Sequence, residues 1–372
     1  MKALIEEVLK SYKKLHPIQI NMEGAGFGAI ILVTINQLRY CERENIYPVV
    51  SYTAECKNAF LDPTMGGELW EQYFEPVMPL SYQMFKEHSK TIDLSKHILK
   101  LSSDEAIKIS EEHPESVYSF PFGKWRTQDL GDLDEWYAKE RAKGRETIGT
   151  YVKPKAHILQ KVESFYQENF SNKFVLGIHI RGTDLHYAPV VSPAEYFPHI
   201  DAWLEKEPTL KIFLATDQAQ YIPVFEQQYG DRIVYSDAFR SDNEVAPFQR
   251  NELSPYKKGE DVLLDILLLS KVDFLIKGSS NVGEMAMYFN PNLECLDLGY
   301  KKEKAFGQSY DQGWDNHTNP PAWKLVNKRG LHQLAKDASS QSMAQLFWYH
   351  ARKRAKSLRI YFGKIKQGIL KP

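Results

Sequence analysis

Cysteine is scarce: Cys41, Cys56 and Cys295 are all that 372 residues contain, and they form neither a CxxC pair nor a Cys/His zinc spacing. A disulfide framework is therefore excluded, and a reducing compartment is expected. No run of 18 apolar residues occurs, which excludes an apolar spanning helix. Neither sign of charge is in excess: 47 Lys+Arg stand against 48 Asp+Glu, so global charge gives no indication of a nucleic-acid partner. Internal repeats and low-complexity tracts are also missing. The first sixteen residues read as an amphipathic helix in which Glu6, Glu7, Lys10, Lys13 and Lys14 break any signal-peptide core. The expected location is thus cytoplasmic, and the sequons at Asn169 and Asn316 are taken as chance matches. One local absence stands out. Between Gln341 and Pro372 there is no Asp or Glu, while Arg352, Lys353, Arg354, Lys356, Arg359, Lys364, Lys366 and Lys371 are present.

What is there is the composition of an ordinary globular protein, 43% hydrophobic and 26% charged, long enough for two domains. A short strand over Pro17–Met22, a Gly-rich turn from Glu23 to Gly28, a helix over Ala29–Glu44 and a strand over Tyr47–Tyr52 form a βαβ unit. An irregular, aromatic-rich stretch follows. A long helix from about Thr150 to Glu168 leads into a clearer alternation. Strands are expected at Phe174–Ile180, Lys211–Thr216, Arg232–Tyr235, Asp273–Lys277 and Leu293–Leu298. The helices between them are Pro193–Lys206, Gln218–Tyr229, Glu260–Ser270 and Asn281–Phe289. This order predicts an α/β fold with parallel sheets. The expectation is two Rossmann-like domains facing a cleft: residues 1–150 on the acceptor side, 151–335 holding the donor nucleotide, and a basic amphipathic helical tail at 336–372.

Ligands of open parallel sheets bind beyond the carboxyl ends of the strands, so the residues following each strand carry the functional information. The first strand of the second domain ends in His179-Ile180-Arg181-Gly182-Thr183-Asp184. A later one ends in Lys277-Gly278-Ser279-Ser280-Asn281 and opens a helix, whose free N–H groups suit an anion. Arg181 adds a forked, permanent cation suited to phosphate oxygens. Each residue also has a purely structural reading: Arg181 as an ion pair with Asp184 or Asp217, the Ser-Ser-Asn run as a helix cap, His179 as a core residue, and Asp265 as a solvent-facing position. Their occurrence at successive strand ends favours a phosphate or diphosphate site.

The stretch Gly177–Asp184 resembles the HxRxxD motif of the fucosyltransferase superfamily, which includes α1,6-, α1,2- and protein O-fucosyltransferases. Asp261–Ile276 with Ser279-Ser280-Asn281 is similar to the second nucleotide-binding motif of the α1,6 enzymes, and the Glu23–Gly28 turn to the Gly-rich opening of the protein O-fucosyltransferases. The resemblance implies a GT-B fold and an inverting, metal-independent transfer of fucose from GDP-fucose to a glycan hydroxyl, in bacterial surface polysaccharide or lipid-linked glycan synthesis. It implies that Arg181 binds the diphosphate, that His179 and Asp265 contact guanine or its ribose, and that Ser279, Ser280 and Asn281 cap the phosphates. Gly26 in the first turn joins this donor-binding set. Two departures matter: the second of two adjacent arginines usual in the α1,6 enzymes is Gly182 here, and the glutamate that some O-fucosyltransferases carry in the Gly-rich turn is Ala25.

An inverting transfer needs a base beside the acceptor hydroxyl. Asp184, Glu23 and Glu195 are the candidates, and Asp184 holds the best motif position. The DxD at Asp132-Leu133-Asp134 precedes a helix at Glu135–Lys143, so capping is the better reading and no metal or other cofactor is expected. Tyr118–Arg126 interleaves aromatic and cationic side chains, as a sugar site does and as a satellite hydrophobic cluster also would. In the tail, Phe347, Ala351, Leu358, Phe362, Ile365 and Ile369 recur near helical spacing among the basic residues. That pattern fits peripheral contact with an anionic membrane, the inner face of the cytoplasmic membrane being expected, or a terminal helix docked on the protein body. Another nucleotide-sugar donor, or an inactive glycan- or nucleotide-binding protein, is the competing reading.

Overall fold

A computed structural model of the protein describes residues 2–19, 24–88, 97–99, 133–183, 191–290 and 292–299. The chain divides into two compact units. The first comprises residues 1–166, 248–270 and 284–292, and the second comprises 167–247, 271–283 and 293–372.

In the first unit, helix α1 (Lys2–Ser11) precedes strand β1 (Lys14–Ile18). The amphipathic period continues to His16 in sequence, but the helix ends earlier. Lys14 to Ile18 instead pair in parallel with β2 (Ile46–Val50), where Leu15 and Ile18 are fully buried. Sheet pairing overrides the local period there. Between the two strands lies α2 (Phe27–Glu44), ending at Asn45 in the left-handed conformation (φ 54). Every residue from Phe27 to Leu38 is buried, polar Thr34, Asn36 and Gln37 included, which makes α2 a core helix enclosed on all sides. Its first residue, Phe27, packs against Phe60, Tyr73 and Phe74.

The helix expected at Glu135–Lys143 runs on to Tyr151 as α5 (Leu133–Tyr151), and the one expected from about Thr150 to Glu168 starts later, as α6 (Ala156–Asn169); α3 and α4 are Leu69–Tyr73 and Tyr82–His88. Pro154 separates them: it has no amide for the helix, and its ring disfavours helical backbone at Lys153.

The second unit holds five parallel strands: β3 (Val175–Ile180), β4 (Lys211–Thr216), β5 (Ile233–Val234), β6 (Phe274–Lys277) and β7 (Glu294–Asp297). Their order is β5-β4-β3-β6-β7. Numbered within the unit this is 3-2-1-4-5, the arrangement of nucleotide-binding α/β sheets. All six residues of β3 are buried, as befits the central strand of a sheet covered on both faces. Helices α7 (Phe197–Lys206) and α8 (Tyr221–Tyr229) connect β3, β4 and β5. Helix α9 (Pro255–Leu269) belongs to the first unit, and the chain passes between units within α10 (Asn281–Phe289). Among the described residues no helix is long and apolar enough to cross a membrane.

Candidate functional site

The chain leaves β3 for β4 and β5 on one side and returns to β6 on the other, so the direction of the sheet reverses between β3 and β6. The crevice beyond the carboxyl ends of those two strands is where an open α/β sheet takes its ligand. His179 lies opposite Lys277 in the register, and the two strands continue into Arg181-Gly182-Thr183 and Gly278-Ser279-Ser280-Asn281. Five of the expected donor-binding residues, His179, Arg181, Ser279, Ser280 and Asn281, thus meet at one edge of one sheet.

Arg181 is paired with Asp217, at the end of β4, through Nε at 3.2 Å. The same carboxylate accepts the Gly182 N–H at 2.6 Å, the Thr183 N–H at 3.2 Å and the Thr183 hydroxyl at 2.5 Å. Of the two partners considered from sequence, Asp217 is the one observed, while Asp184 lies outside the described residues. The pairing holds the Arg181 guanidinium at the strand end and fixes the first turn after β3.

His179 is buried, and its carbonyl accepts the Tyr196 hydroxyl at 2.9 Å and the Gly278 N–H at 3.3 Å. Its Nδ1 is enclosed without a hydrogen-bond partner. Burial, with Lys277 and Arg181 close by, pushes its pKa down from 6.5 to about 3, so the imidazole is neutral. Lys277 is 1% exposed and forms an ion pair with Asp297, its register neighbour at the end of β7. Gly283, in the first turn of α10, brings the helix against these side chains. A Cβ there would lie 2.8 Å from Lys277 Cδ and 3.3 Å from His179 Nδ1.

The turn after β6 serves as a helix cap: Ser280 Oγ accepts the Val282 N–H at 3.3 Å. Ser279 and Ser280 are buried, and Asn281 Oδ1 is enclosed without a partner. The cap and the anion site are compatible, since one hydroxyl satisfies one of several N–H groups at a helix start.

The remaining candidates are scattered. Asp265 is 8% exposed, so the solvent-facing alternative is corrected; it sits in α9 of the first unit. Gly26 is the N-cap of α2 with an extended backbone (φ −74, ψ 160), and a Cβ there would meet nothing within 4 Å. Glu195 accepts the Ser192 N–H at 2.8 Å and the Ser192 hydroxyl at 3.0 Å, which makes it a local cap of the turn at Pro193–Glu195. Glu23, Asp184, Asp132, the Tyr118–Arg126 segment and the basic tail from Gln341 lie outside the described residues. Sequence reasoning missed Lys277 and Asp297, whose signal is a charged residue closing each of two neighbouring apolar strands. It also missed Gly283, whose signal is a glycine inside an apolar helix.

The sheet order and the residues gathered at its reversal point give the second unit a doubly wound α/β arrangement with a candidate anion site beyond β3 and β6. Residues 147–290 match the family model for the alpha-(1,6)-fucosyltransferase N- and catalytic domains. Nodulation protein Z of Sinorhizobium fredii is 26% identical over 153 residues, 38% of this chain and 46% of that protein. The chain therefore spans about half the length of the curated relative it matches. Among solved structures, the fucosyltransferase NodZ from Bradyrhizobium is similar at 15% identity, covering 75% of this chain and 94% of that one, with a TM-score of 0.44. POFUT1 in complex with GDP-fucose is similar at 10% identity, covering 78% and 98%, with a TM-score of 0.43. Over residues 147–290 the chain is therefore similar to the alpha-(1,6)-fucosyltransferase catalytic domains.

Proposed function

We propose that this enzyme transfers fucose from GDP-fucose to a hydroxyl of a glycan, with inversion and without a metal ion, on a GT-B scaffold. The observation that carries the reading is the convergence of Arg181, fixed by Asp217, with the β6–α10 turn at the reversal point of the sheet. Breaking the bond to a diphosphate builds negative charge on the leaving group while the sugar becomes cation-like. Donors already fixed at that spot lower the barrier because nothing has to reorganise. Arg181 and the N–H groups opening α10 are such donors, and Lys277, neutralised by Asp297, stands behind them. His179, neutral and enclosed, suits a hydrogen bond to the base or ribose better than a contact with phosphate. Asp184 or Glu23 would take the acceptor proton. A lipid-linked acceptor reached through the basic tail is part of the same reading.

Calorimetric titration with GDP, UDP, ADP and CMP, with and without Mg²⁺, tests it. Selective GDP binding that is indifferent to the metal is expected. A preference for UDP, or a strict need for Mg²⁺, would sink the fucosyl assignment.

A further inference from the structure

Gly182 is a glycine for reasons of space. Its φ lies outside the left-handed region, so its backbone would accept other residues. A Cβ built there, however, would overlap Gln218 Cγ, and would stand 3.1 Å from Tyr221 Cε2 and 3.2 Å from Gln218 Cβ. Gln218 and Tyr221 are both fully buried, so neither can swing into solvent. The volume that a side chain at 182 would fill is therefore already filled, chiefly by Gln218.

Gln218 is itself held on several sides. Its Nε2 donates to the Asn243 carbonyl at 2.8 Å, and its backbone N–H to Thr216 Oγ1 at 3.2 Å. It also bridges Ser241, whose N–H donates to the Asp217 carbonyl at 2.9 Å. One side chain thus joins the segments that follow β3, β4 and β5. Its Oε1 is enclosed without a partner, an arrangement that costs stability unless the group is wanted where it is.

We propose that Gln218 is a positioning and specificity-determining residue of the donor site: it fills the space over Gly182, steadies the turn that carries Arg181, and keeps any side chain, a second cation included, out of position 182. The proposal rests on the reading of this edge as a nucleoside diphosphate site. A neutral carboxamide packed on a glycine then sets how much positive charge the turn after β3 presents to the diphosphate.

The test is a four-member set: wild type, Gly182→Arg, Gln218→Ala and the double variant, each followed by thermal unfolding and by GDP titration. Gly182→Arg alone is expected to unfold at lower temperature and to lose GDP binding. Gln218→Ala alone is expected to fold but to bind GDP more weakly by about tenfold, because the turn is released. The double variant is expected to regain the unfolding midpoint and to bind GDP about tenfold more tightly than wild type, with a steeper salt dependence, since a guanidinium gains a charge-assisted contact with phosphate. Strictly additive effects, or a Gly182→Arg variant that folds and binds as wild type does, would overturn the proposal. If wild type binds no GDP, the nucleotide reading fails, while the unfolding midpoints still decide whether positions 182 and 218 exclude one another.

Discussion

Asp217, closing β4, pairs with the Nε of Arg181, which follows β3, at 3.2 Å, and the same carboxylate takes two backbone N–H groups and a hydroxyl from the two residues after Arg181. The structural reading of Arg181 and the proposed one are therefore compatible. An arginine that is to meet a diphosphate in one orientation, as proposed, needs a second group to hold it, and Asp217 on the neighbouring strand is placed to be that group.

Arg181→Lys separates charge from geometry. An ammonium keeps the positive charge but has neither the planar fork nor the Nε that meets Asp217. The fold is expected to survive, with an unchanged circular dichroism spectrum, while kcat with GDP-fucose falls about 10²–10³-fold, the usual cost of removing one donor to a developing anion. Turnover at the wild-type level would remove Arg181 from the mechanism.

The second buried ion pair predicts a stability effect. Lys277 and Asp297 close adjacent strands and are 2% and 12% exposed at their side chains. Truncating one partner leaves the other charge enclosed without its counterion, so Lys277→Met is expected to cost ~3–5 kcal/mol in urea unfolding. Lys277→Met combined with Asp297→Leu should recover most of that, because two apolar groups leave no buried charge. A single variant as stable as wild type would show that the pair contributes little.

Much of this site was legible from sequence because its strands end sharply. Apolar runs stop at His179-Ile180-Arg181-Gly182 and at Lys277-Gly278-Ser279, and polar residues bound Lys211–Thr216 and Asn281–Phe289, which fall where the pattern puts them. The site is carried by local signals at strand ends. What local signals cannot carry is pairing across strands. Lys277 and Asp297 are twenty positions apart in sequence and become neighbours only through the register of β6 with β7. The burial of Asp265 likewise depends on packing that the helical period does not encode. The early end of α1 and the break at Pro154 have the same kind of cause: sheet pairing for Leu15, and a missing amide at a proline inside an unbroken apolar period.

The neutral His179 predicts how stability depends on pH. Its pKa is lowered from 6.5 in the unfolded chain to about 3 in the folded protein, by burial first and then by Lys277 and Arg181. Between those values the unfolded chain binds a proton that the folded one refuses, so stability falls as pH drops from about 6.5 towards 3 and is fully present above 6.5. At pH 5 the loss from this group is about 2 kcal/mol. His16 in the first unit, also buried with a lowered pKa, acts in the same direction, so the measurement is a difference between proteins. Urea unfolding of wild type and His179→Asn between pH 4.5 and 7.5 is the check. The variant should lose stability more gradually on the acid side, and its deficit relative to wild type should shrink steadily below pH 6.5. Parallel curves would mean that folding leaves the His179 pKa unshifted, and would remove the enclosed neutral imidazole from the proposed donor site.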